Sequence, residues 1–91
     1  KPAIIDFYAD WCGPCRKLSP LLEELQTEYN GKLQVYKVDT EKSRELAAAF
    51  GIQSLPTIVF VPMDKEPQAV LGFVPKERLN QLVSNILNVE Q

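Results

Sequence analysis

The chain is predicted to fold as one α/β domain over residues 1–91, a mixed central sheet with helices on both faces, in the order β-α-β-α-β-β-α. Three observations predict it. Short apolar runs of strand length alternate with segments whose apolar residues recur at helical spacing. Glycine, asparagine and proline fall at the junctions between them. The last two strand-like runs follow one another across a short turn, as a hairpin does.

Ala3 to Ala9 (AIIDFYA) reads as a strand buried on both faces, with Asp6 the one polar intrusion. The first helix is expected from near Cys12 to about Tyr29. Its residues Leu18, Leu21, Leu22, Leu25 and Tyr29 fall on one face. Pro14 suits the first turn, where its missing N–H had no partner to lose, whereas Pro20 sits mid-pattern and is expected to kink the helix. Asn30-Gly31 closes it with residues that accept a left-handed backbone. Leu33 to Asp39 is the second strand, parallel to the first through a right-handed crossover. Ser43 to Phe50 is a short Ala-rich helix ended by Gly51. Thr57 to Val61 is a third strand directly after Pro56, and Gln68 to Leu71 is its hairpin partner at an edge. Pro75 opens a final helix with Leu79, Leu82, Val83, Ile86 and Leu87 on one face.

The chemistry-bearing segment is Trp11-Cys12-Gly13-Pro14-Cys15, which holds the only two cysteines of the chain. A Cys-x-x-Cys pair stores and transfers two electrons by switching between dithiol and disulfide. A structural zinc site needs four ligands, and the chain has no other cysteine and no histidine. Two thiols alone suit a metal chaperone poorly. A structural disulfide here would close too short a loop to restrain the unfolded chain much. A strand entering the motif and a helix leaving it favour redox chemistry.

Composition narrows the function classes. An apolar content of 45% in 91 residues supports one small core. The net charge is −2 and no basic run exceeds Arg16-Lys17, so nucleic acid is not an expected partner. No apolar stretch approaches membrane-spanning length, and no cofactor is implied. The chain begins at Lys1-Pro2 without Met and enters a strand almost at once. It is expected to be a trimmed, processed or partial product, with any leader or anchor lying upstream. The residues favour neither the cytoplasm nor the periplasm.

The DFYADWCGPC block, Pro20, Lys37 and Asp39, Leu55-Pro56-Thr57 and Gly72 resemble the thioredoxin family, its bacterial members in particular, over nearly the whole chain. The resemblance implies a thioredoxin fold and protein disulfide–dithiol exchange, with disulfide-containing proteins as substrates, a thioredoxin-reductase-type electron donor and a monomeric state. Three features depart from the family. Its usual N-terminal strand and helix do not occur in these residues, which is expected to leave the Leu33–Asp39 strand as an exposed edge. Tyr8 stands where tryptophan is common. Phe73 stands where a small residue usually follows the glycine, which bears on substrate preference.

Cys12 is expected to attack. Only a thiolate attacks a disulfide, and unpaired N–H groups and the dipole at a helix start favour the anion. Cys15, about one turn on, is expected to resolve the mixed disulfide. Asp6 is the candidate acceptor of its proton, because a carboxyl in an apolar strand is costly to ionise; the alternative is a solvated carboxylate at a strand end. Lys37 matches the family's partner of that carboxylate, or is an ordinary surface lysine. Gly13-Pro14 offers no charge to stabilise the dithiol, so the pair is expected to act as a reductant. By resemblance Pro56 is a cis-proline beside the cysteines, presenting the backbone of Leu55 to an extended substrate; read alone, it is a strand starter. Trp11, Gly13, Pro14, Leu55 and Gly72 would form an apolar rim. Two further roles remain open for the same fold, an envelope thiol oxidoreductase with specific partners and a non-catalytic scaffold subunit.

Overall fold

Strand β1 (Ala3–Tyr8) is the centre from which the architecture is built, and the computed structural model describes all of residues 1–91. It pairs in parallel with β2 (Gln34–Asp39) and antiparallel with β3 (Thr57–Val61), which in turn pairs antiparallel with β4 (Gln68–Leu71). The sheet order is therefore β2-β1-β3-β4, with β2 and β4 at the edges. The parallel pair needs a crossover, which α1 (Gly13–Glu28) supplies.

Alternation along the strands sorts the core into two layers. Ile4, Ile58 and Phe60 point to one face, where they pack with Leu18, Leu22 and Leu25 of α1 and with Leu79, Leu82, Val83 and Leu87 at the C-terminal end. Phe7 and Val59 point to the other face and meet Ala47 of α2 (Arg44–Ala49). Helices thus cover both faces. By the same alternation Asp6 shares the α1 face with Ile4.

α1 runs through Pro20 as a single helix of 16 residues, so the proline sits inside it without ending it. Both Pro20 and Arg16, whose carbonyl loses the donor that proline lacks, are exposed residues. The helix stops at Tyr29, and Asn30 (φ 46°) and Gly31 (φ 83°) turn the chain through the left-handed region. From its last turns Gln26 reaches the edge strand, its Oε1 accepting the Val35 N–H at 2.6 Å.

The final helix differs in its second half from the expectation. An α-helical stretch, α3 (Lys76–Leu82), capped by Pro75, passes into a π-helical turn, α4 (Val83–Leu87), before Asn88 adopts a left-handed conformation. Leu79, Leu82, Val83 and Leu87 are still buried, whereas Ile86 is only partly covered. No helix is long and apolar enough to cross a membrane.

Candidate active site

The chain leaves β1, turns at Asp10 and Trp11, and enters α1 with Cys12 as the residue before the first helical position. Such a position brings the Cys12 sulfur to the helix's unpaired N–H groups. The Cys15 N–H donates to Cys12 Sγ at 3.2 Å. Cys12 and Cys15 are joined as a disulfide, their Cα atoms 5.3 Å apart. Cys12 is 5% exposed and Cys15 2%, so both residues are buried and Cys12 is slightly the less so.

Asp6 lies on β1, the strand that leads into the motif. It is fully buried, and neither carboxylate oxygen has a hydrogen-bond partner. Burial raises its pKa from 3.8 to about 6, and the nearby positive charge of Lys37 limits the rise. The alternative of a solvated strand-end carboxylate is thereby overturned. Lys37 joins two roles that the sequence held apart. It stands opposite Asp6 in the parallel register, yet it is exposed, with its ammonium 4.9 Å from the centre of the Tyr8 ring. A groove of about 380 Å³ runs between Cys15, Pro20, Tyr8 and Lys37 and brings solvent to this side of the site.

Trp11 is 65% exposed, and its indole N–H donates to Glu41 Oε2 at 2.8 Å. Gly13 and Pro14 are exposed beside it. The Leu55-Pro56 peptide bond is cis. Pro56 is buried, Leu55 is partly exposed, and the Leu55 N–H and C=O take no partner from the chain's own backbone. Gly72 (φ 86°) donates its N–H to Pro56 O at 2.8 Å, locking the end of β4 onto the proline loop. A left-handed backbone at that turn favours glycine. The fold thus brings Trp11 to Leu55 along one groove, Gly13 and Pro14 to Phe73 along another, and Gly72 to Pro56 by a hydrogen bond. Glu41 was not foreseen: it lies 30 residues from Trp11, and no sequence pattern joins them.

A Cys-x-x-Cys disulfide at a helix start, with a buried carboxyl on the strand before it and a cis-proline loop whose backbone groups are free, defines a thiol–disulfide oxidoreductase. The thioredoxin family model matches residues 1–85, and the chain belongs to the thioredoxin family. It is 46% identical over 85 residues to a thioredoxin of Borreliella burgdorferi, covering 93% of this chain and 73% of that protein. Identity to the M-type chloroplastic thioredoxin of Pisum sativum is 41% over 86 residues, or 94% of this chain and 50% of the plant protein. The chain therefore spans half the length of that relative. Among solved structures, a chloroplastic thioredoxin z superposes with a TM-score of 0.87 at 36% identity, over 94% of this chain and 78% of that one. Membership brings protein-disulfide reductase chemistry, with disulfide-containing proteins as substrates and a reductase-type donor. The scaffold and envelope readings gain no support from these findings.

Proposed function

We propose that residues 1–91 act as one monomeric unit that reduces protein disulfides, with Cys12 attacking and Cys15 resolving. The observation that carries this assignment is the seat of Cys12 Sγ at the start of α1, where it already accepts the Cys15 N–H. The same N–H groups and the helix dipole favour a thiolate there once the pair is reduced. In the first step the Cys12 thiolate attacks one substrate sulfur. A mixed disulfide forms and the other substrate sulfur leaves as a thiolate. Cys15 then gives its proton to the Asp6 carboxylate and attacks Cys12 Sγ. The Cys12–Cys15 disulfide forms, the second substrate sulfur leaves, and two electrons have passed to the substrate. A thioredoxin-reductase-type dithiol donor returns the pair to its reduced state.

Asp6 suits that proton transfer because burial has brought its pKa to about 6, close enough to neutrality to take and return a proton. Lys37 tempers the charge of the carboxylate from the neighbouring strand. The free N–H and C=O of Leu55 suit an extended substrate segment that adds as a short strand, with Trp11, Gly13, Pro14, Pro56 and Gly72 around it.

The test separates the two sulfurs. Reduced protein should speed dithiothreitol-driven reduction of insulin disulfides. Cys15→Ser should accumulate substrates as stable mixed disulfides on Cys12, whereas Cys12→Ser should trap none. Equal trapping by both variants would overturn the assignment.

A further inference from the structure

On the α1 side of the disulfide, Phe73 forms an open groove of about 580 Å³ with Gly13, Pro14, Arg16 and Lys17. Three properties set this groove apart. Phe73 is 44% exposed, so the core does not account for an aromatic ring there, although its neighbour Val74 is buried. Arg16 and Lys17 are exposed and neither forms an ion pair, the salt bridges of the chain belonging to Lys76. One Arg16 guanidinium nitrogen donates to the Asp10 carbonyl at 2.9 Å, which holds the group in place without neutralising it. No carboxylate lines the groove. The surface is therefore cationic and aromatic in a chain whose net charge is −2.

The Trp11 side is built differently. There Arg44 sits by Glu41, its Nε donating to the Glu41 carbonyl, and the Glu41 carboxylate holds the indole. Both signs are present on that side, so it offers little charge selection. Gly72 directs the chain out of β4 at φ 86°, and this turn delivers Phe73 toward the Gly13-Pro14 segment rather than into the sheet.

We propose that Phe73, Arg16 and Lys17 are specificity-determining residues. They select disulfide substrates that carry an acidic side chain on one flank of the attacked cysteine, with an apolar residue adjoining it. The carboxylate meets the two free cations, and the apolar residue covers the Phe73 ring together with Pro14. This selection rests on the reductase assignment above and adds the substrate class to it. Substrates with a basic flank are disfavoured by the same charges.

The experiment uses the pre-reduced protein in single-turnover reactions with short peptides, each closed by one disulfide. One pair differs only by Glu or Lys beside the attacked cysteine, and a second pair by Leu or Ser at the adjoining position. The Glu peptide should react about tenfold faster than the Lys peptide at low salt, from two exposed charge contacts that reverse in sign. That ratio should fall toward one at about 1 M salt, where the screening length shrinks to about 3 Å. It should also fall in an Arg16→Gln, Lys17→Gln double variant. A change in Cys12 reactivity would scale both peptides alike and leave the ratio intact, so the ratio reads recognition alone. Phe73→Ser should reduce the Leu-over-Ser preference about threefold, through lost apolar contact. Equal rates on Glu and Lys peptides in the wild type, or a ratio unmoved in the double variant, would overturn the selection while leaving the reductase assignment standing. Reduction of neither peptide would defeat both.

Discussion

Asp6 carries an ionisable group with no hydrogen-bond partner into the centre of the sheet, and its consequences for stability follow from the direction of its pKa. The folded value, about 6, lies above the 3.8 of a solvated carboxyl. Between those values the folded chain holds a proton that the unfolded chain has released. Stability from this group is therefore fully present below about pH 3.8 and lost as pH rises through about 6. The loss amounts to about 3 kcal/mol at 1.36 kcal/mol per unit. Asp6→Ala should accordingly be more stable than the wild type by about 2–3 kcal/mol above pH 6. The advantage should shrink toward zero near pH 4, as read by urea unfolding of the oxidised proteins. An advantage that does not vary with pH would mean that the carboxyl is not desolvated in the fold.

At the scale of elements, α1 packs against the larger core layer directly after Cys12, and its middle and its C-terminal exit are secured by different physics. Leu22 is 1% exposed among the strands and C-terminal helix, so Leu22→Ala should cost about 2–5 kcal/mol through lost burial and a residual cavity. Gly31, just past the helix, has φ 83° and nothing within 4 Å of where a side chain would begin. Gly31→Ala should thus cost only about 1 kcal/mol, all of it backbone strain. Urea denaturation of both variants checks the contrast. A loss for Gly31→Ala as large as that for Leu22→Ala would show the turn to be crowded.

These elements were legible in sequence because each combined an apolar period with a boundary residue. Leu18 to Tyr29 gave the face of α1, Asn30-Gly31 gave its end, and TIVFV gave the buried β3. The π-helical turn at Val83–Leu87 was not legible, since an apolar period over five residues fits three- or four-residue spacing as well. The same limit applies to the site. The Cys-x-x-Cys pair is local and could be read directly, and Asp6 stood out as a charge in an apolar strand. The bond from Trp11 to Glu41 depends on how β2 and the loop after it return beside the motif, which periodicity does not encode. Lys37 was ambiguous for a physical reason, being exposed at its tip while it faces Asp6 across the parallel register.

For the whole molecule, stability and turnover make opposite demands on one carboxyl. The oxidised fold favours a protonated Asp6 and loses stability as pH rises toward 6, whereas in the proposed mechanism the carboxylate accepts the Cys15 proton, and the carboxylate is available only as pH rises past that value. The proposed proton transfer would thus give a use at neutral pH to a group that destabilises the fold. Single-turnover resolution of a Cys12 mixed disulfide should accelerate as pH increases through about 6, over the same range in which the unfolding free energy declines and then levels. Asp6→Asn should flatten both profiles and slow resolution above pH 6 by about 10–100-fold, the scale of a lost general base. Attack by Cys12 on the substrate should change less, since in the proposed mechanism no Cys15 proton is transferred in that step. If Asp6→Asn flattened the stability profile while the resolution profile kept its shape, the carboxyl would be a buried charge without a role in the chemistry.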